Sequence, residues 1–190
     1  MNQPDGAIDA ACERILLDAG RETEAYEKYA LTASVSSTGL GTYLLIAKKY
    51  PARDPKQILL DLAESGGDSG HWFAAAKDGG FLDLALEFAQ TGRTDPRTLS
   101  RASRDLLEKD AKFCLQVARI AIQRMLEGYG YEPSGIDVID TYSHFLRAAA
   151  TLGVSQDARK DMFSTATKAK QSGAPFADIL IRQCSPGSLH

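Results

Sequence analysis

The sequence predicts an all-α fold, and three observations lead there. Apolar residues recur at three- and four-residue intervals along nearly the whole chain. Val, Ile and Thr never gather in period-two alternation, so no strand pattern competes. Helix starts and stops are written in capping chemistry, with Asp-Pro pairs opening helices and glycines closing them. Short turns between such helices force neighbours antiparallel, so the expected architecture is a stack of antiparallel helical hairpins.

The elements follow in order. A first helix over 8–19 places Ile8, Cys12, Ile15, Leu16 and Ala19 on one face and stops at Gly20, since only glycine enters a left-handed cap without a Cβ clash. A second, over 22–33, faces inward with Ala25, Tyr26, Tyr29 and Ala30, and a polar loop from Ser34 to Gly39 follows. A third covers 40–50 and ends at Pro51. Asp54 caps the fourth, Pro55 suits its first position, and Gln57 is placed to close a capping box; Leu59, Leu60, Leu62 and Ala63 are its core. Residues 65–70, rich in Gly and Ser, are the most flexible stretch expected. Short helices over 71–77 and 81–91 flank Gly79-Gly80, and Gly92 ends the second. Asp95-Pro96 opens a helix running to 109. Asp110 caps the next, over 111–127, where Phe113, Leu115, Val117, Ile120, Ile122, Met125 and Leu126 point almost all round. Such a helix is central and buried. After a turn at 128–131, Ser134 caps 135–152, Ser155 caps 156–172, and a short helix covers 176–184. The expected organisation is one domain over 1–184 with a frayed tail, 185–190.

Composition excludes whole classes. The chain has 190 residues, 44% of them apolar, 25% charged and 8% aromatic, which excludes disorder, a collagen-like fibre and a disulfide-rich miniprotein. No apolar run approaches the about 20 residues of a membrane span, and Met1-Asn2-Gln3-Pro4-Asp5-Gly6 has neither the basic start nor the apolar run of a signal peptide. Cys12, Cys114 and Cys184 are too few and too scattered for a disulfide framework or a cysteine zinc site. A cytoplasmic location is expected. Net charge is −3; residues 1–92 hold 8 basic and 14 acidic side chains, residues 93–190 hold 14 and 11. A mildly acidic whole argues against a general nucleic-acid binder.

One spacing recurs: Gly20…Ala25, Gly80…Ala85 and Gly153…Ala158. The glycine turns the chain and the alanine sits where the following helix presses closest on the one before. Gly20-Arg21-Glu22-Thr23-Glu24-Ala25-Tyr26-Glu27-Lys28-Tyr29-Ala30 resembles the turn and second helix of a tetratricopeptide repeat, and Gly80-Phe81-Leu82-Asp83-Leu84-Ala85-Leu86-Glu87-Phe88-Ala89 is similar. The intervals, 60 and 73 residues, are uneven, so the resemblance implies either an α/α superhelix or an irregular tetratricopeptide-like bundle. Two longer stretches, 54–63 with 72–78, and 127–132 through Asp137-Val138 and Tyr142 to Gly153, resemble the C-terminal part of an uncharacterised bacterial family of helical-repeat proteins. That resemblance implies a helical, bacterial, cytoplasmic protein, short or truncated, and no catalytic activity.

Motifs with chemical meaning are sparse. Gly67-Asp68-Ser69-Gly70 resembles the serine-protease nucleophile motif, but it lies between helices, with only His71, His144 and His190 as bases; Ser69 reads as a helix cap. Gly39-Leu40-Gly41 lacks the rest of a phosphate loop. No histidine or cysteine pair has metal-ligand spacing, so no metal and no cofactor are expected. Asp137 with Asp140, and Asp157 with Asp161, read as solvated carboxylates.

Two binding candidates stand out. Arg93, Arg97, Arg101 and Arg104 form a basic stripe, in which Arg97, Arg101 and Arg104 share a helix face suited to carboxylates or phosphates. Asp105 and Glu108, four residues after Arg101 and Arg104, are placed to neutralise them. The second candidate is aromatic: Trp72, with Phe73, and Tyr129 with Tyr131, beside glycine-containing turns, either as interface anchors or, as is commoner for large aromatics, packed in the core or pinning the turns. The function expected is a non-enzymatic scaffold that grips a protein or peptide on a groove or concave face. The alternative is nucleic-acid or phosphate binding along 93–124, which holds 8 basic and 4 acidic residues.

Overall fold

The computed structural model describes residues 5–185, which are helices and turns without a strand. His190, and the expected tail beyond Ser185, lie outside the described residues. Contacts divide the chain into two compact units at the Arg93–Thr94 boundary. The sequence has no Gly- or Pro-rich linker there because the division falls in a short turn that is itself held by hydrogen bonds.

The first unit holds α1 (Asp5–Asp18), α2 (Glu22–Ala25), a π-helical turn (Tyr26–Ala30), α3 (Leu31–Ala33), α4 (Gly39–Lys49), α5 (Pro55–Gly66), a 3-10 turn (Ser69–Trp72), α6 (Phe73–Asp78) and α7 (Leu82–Thr91). α1 packs on α2, the π turn and α3, while α4, α5, α6 and α7 pack around the 3-10 turn. Ile46, Ile58, Leu59, Phe73 and Leu84 are fully buried among them. The second unit holds α8 (Pro96–Asp105), α9 (Ala111–Leu126), α10 (Gly135–Thr151), α11 (Ser155–Gln171) and α12 (Ala177–Cys184). α9 packs on both α8 and α10, which also touch each other, and α12 packs on both α10 and α11. Its centre is the helix that reads as apolar all round: Phe113, Val117, Ile120, Ile122, Met125 and Leu126 are all buried.

The glycine stops act as expected. Gly153 is left-handed, its amide bonds Ala150 O at 3.1 Å, and Val154 N bonds Ala149 O at 2.9 Å, the two-bond helix cap that needs this conformation. The same pair of bonds closes the helices before Gly20, Gly80, Gly128 and Gly173. Ala25, Ala85 and Ala158, five residues after three of these glycines, are buried.

Several local expectations change. Residues 65–70 are held rather than loose. Asp68, not Ser69, caps the 3-10 turn, its Oδ1 accepting from Gly70 N at 2.9 Å and Arg93 N at 2.8 Å. Ser69 Oγ instead lies 3.0 Å from Thr91 Oγ1. Gly92 approaches so closely that a Cβ on it would stand 1.9 Å from Gly70 N. The protease-like motif is therefore a loop clasp. Gln57 donates to Asp61 at 2.8 Å instead of closing a capping box. α8 ends at Asp105, four residues early, because the chain tightens into turns up to Asp110, the next cap. Ser155 is the first residue of α11 and makes no cap.

Candidate functional site

The basic stripe becomes one wall of a cleft in the second unit. Asp95 caps α8 by accepting from Arg97 N at 2.9 Å, and the helix then carries Arg97, Arg101 and Arg104 at i, i+4 and i+7. On α10, Asp137, Asp140 and His144 stand at i, i+3 and i+7 and form the facing wall. Together with Ser100 they line an open cleft of about 320 Å³. Buried Ser103 and Thr141 lie at the contact between the helices. Thr141 Oγ1 lies 2.6 Å from the Asp137 carbonyl and 2.7 Å from Ser100 Oγ, tying the helices together.

Each charge has a distinct setting. Arg97 Nη2 donates to Glu132 O at 3.0 Å and to Asp137 Oδ2 at 3.1 Å, so Arg97 is held. Asp137 also closes a capping box with Ser134, accepting from its amide and hydroxyl at 2.7 Å. Partial burial pushes the Asp137 carboxyl up, but the Ser134 bonds and the Arg97 guanidinium outweigh it and hold the group below its ordinary value. Arg104 pairs with adjacent Asp105 at 2.9 Å, and Glu108 reaches Arg147 at 3.6 Å. The neutralising i,i+4 pairs expected from sequence are thus absent, because α8 ends before Glu108 and Asp105 turns to its own neighbour. Arg101 is exposed and has no ion pair among the described residues.

His144 is half-buried. Burial lowers its proton affinity first; Asp140 opposes this, Arg104 and Arg147 add to it, and Asp105 opposes it. Its Nδ1 lies 3.4 Å from Ser103 Oγ. That contact is not a nucleophile–base pair, since Ser103 is completely buried and donates to Ser100 O at 2.7 Å. The cleft offers the exposed Arg101 guanidinium, with Arg104 paired to Asp105 beside it, opposite the Asp140 carboxylate and the His144 imidazole. It can bind and orient a ligand of mixed charge.

The remaining candidates separate. Arg93 belongs to the first unit, where its amide closes the Asp68 clasp. Trp72, a binding candidate beside a glycine turn, is only 8% exposed and packs inside, as large aromatics commonly do. Its indole packs where a Cβ on Gly39 would lie 3.4 Å from the ring and one on Gly66 3.3 Å from Nε1. Tyr129 is half-buried, with the Arg124 guanidinium 6.0 Å from its ring centre. Tyr131 is 77% exposed, while its amide donates to Asp95 Oδ2 at 3.0 Å.

The sequence reading missed a polar network in the first unit. Glu13 of α1, only 2% exposed, accepts from Tyr50 Oη and Lys49 Nζ, both at 2.6 Å, and Lys49 also donates to Ser34 Oγ at 2.7 Å. Tyr26 Oη donates to Asp61 at 2.6 Å, its ring meets Tyr50 edge-on at 5.1 Å, and the Arg53 guanidinium covers it at 3.9 Å. Burial, then the hydrogen bond to its carboxylate, pushes each phenol's proton affinity well up, so both stay protonated and serve as donors. Periodicity gave no signal for it: Glu13 lies off the apolar face expected for the first helix, and of that face Ile8 and Ile15 are 60% and 67% exposed. Cys114 and Cys184 are buried; burial pushes the Cys114 thiol up to about 11, so it is unreactive at neutral pH. No group of three or more His, Cys, Asp or Glu among the described residues could hold a metal ion, and no helix there is long and apolar enough to cross a membrane. Comparison with known proteins finds no matching family model, no matching curated protein and no matching solved structure.

Proposed function

We propose that the chain is a protein-interaction module of tetratricopeptide-like helical hairpins, acting by binding rather than turnover, and that the cleft between α8 and α10 receives an acidic segment of a protein partner. The observation that carries this reading is Arg101, exposed at the centre of the basic wall with no ion pair among the described residues. A guanidinium in that position offers a bidentate fork to a carboxylate. The facing Asp140 favours a ligand that also brings a cation. This mixed lining supports a peptide that carries both a carboxylate and a cation over nucleic acid, whose backbone brings anions alone and leaves Asp140 unmatched.

Selection from a random peptide library, on the intact protein and on the Arg101→Ala/Arg104→Ala variant, tests the proposal. The expected result is enrichment of Asp- and Glu-containing peptides that the variant fails to select, with affinity about tenfold weaker for the variant. No enrichment by the intact protein overturns it. Tighter binding of a single-stranded oligonucleotide, falling steeply with salt, would replace it with the phosphate reading.

A further inference from the structure

On its other flank α10 borders a second pocket, and its chemistry differs. Ile139, Tyr142 and Leu146 of α10 give it an apolar wall, Arg147 of α10 and Arg159 of α11 bring guanidinium groups to it, and Gln183 of α12 also lines this half-open pocket of about 310 Å³. Three helices thus surround a short space, which fits a compact ligand better than an extended chain.

Two further observations indicate what would fill it. Tyr142 is almost completely buried, and its hydroxyl has no oxygen or nitrogen partner among the described residues, with the buried Cys184 thiol beside it. A thiol is a weak acceptor, so this donor is poorly satisfied and a stronger acceptor beside it is favoured. Burial and then the Cys184 thiol raise the phenol's proton affinity, and Arg159, which has no ion pair among the described residues, opposes them. Among the described residues Arg147 pairs with Glu108 at 3.6 Å, a side chain 90% exposed. An apolar wall with one buried donor and two weakly engaged guanidinium groups is complementary to an apolar tail ending in an anion.

We propose that this pocket binds a medium-chain monocarboxylate, its tail against Ile139 and Leu146 and its carboxylate between Arg159 and the Tyr142 hydroxyl. Calorimetric titration of the full chain with decanoate tests this, alongside octanoate, 1-decanol, and the Arg159→Gln and Tyr142→Phe variants. Tyr142→Phe removes a hydroxyl whose neighbour is a weakly accepting thiol, and Arg159→Gln a side chain without an ion pair among the described residues, so both variants are expected to keep the wild-type helical spectrum. The expected result is saturable decanoate binding, weaker for octanoate by roughly twofold or more per methylene removed. Arg159→Gln should lower affinity about tenfold, with a smaller loss in Tyr142→Phe, and 1-decanol should bind far more weakly than decanoate. No saturable decanoate binding, equal binding of 1-decanol, or decanoate affinity unchanged in both variants would overturn it. Arg101→Ala/Arg104→Ala should leave decanoate binding unchanged, which separates this site from the cleft beside α8.

Discussion

Glu13 is a buried carboxylate whose two short bonds, to Tyr50 and Lys49, join α1 to the end of α4. Removing it leaves the buried Tyr50 phenol without an acceptor and takes the paired carboxylate from Lys49, which keeps Ser34 Oγ, so Glu13→Ala is expected to cost about 3 kcal/mol. Tyr50→Phe leaves Glu13 bonded to Lys49 and should cost only about 1 kcal/mol. Urea unfolding of both variants checks this, and equal losses would contradict the network. His144 sets a pH dependence. Its proton affinity in the folded chain lies below the ordinary 6.5, chiefly through burial, so the folded state prefers neutral imidazole. That contribution is present above 6.5 and is lost as pH falls from there through the folded value. In unfolding measured across this window, His144→Gln should show a shallower fall in stability than wild type. An NMR titration should place His144 below the ordinary histidine value.

Turns decide much at the level of elements, and two left-handed glycines separate conformational strain from crowding. At Gly153 an added Cβ meets nothing within 4 Å, so Gly153→Ala carries only the left-handed strain, about 1 kcal/mol. At Gly130, φ is 116° and an added Cβ would stand 2.6 Å from Pro96 Cγ, against the start of α8. There Gly130→Ala is expected to cost more than 2 kcal/mol, because neither the proline ring nor the Asp95 clasp on Tyr131 can give way. Thermal unfolding of the two variants checks the order. Asp95 and Asp68 share a device: each caps a helical turn and also holds a distant backbone amide, so one side chain sets both an element's start and a loop's position. Sequence reading recognises the first role of Asp95 through the Asp-Pro pair. It cannot see the second, which depends on a partner 36 residues away.

The whole molecule is two units, each with a buried core of its own. Fragments 1–93 and 94–190 are therefore each expected to give a helical circular-dichroism spectrum and a cooperative unfolding transition. A fragment without a transition would show that the unit depends on the rest of the chain.

Local periodicity and capping alone determined that the chain is helical, where most helices begin and end, and that α9 is central, because these follow from interactions within a few residues. They also placed Arg97, Arg101 and Arg104 on one face. Only tertiary packing decided that this face looks across at Asp137, Asp140 and His144, that Asp105 turns to Arg104 and leaves Arg101 without an ion pair among the described residues, and that Trp72 is buried. Those outcomes depend on which helix lies opposite and where a turn tightens, and such long-range choices have no signature in the spacing of nearby residues.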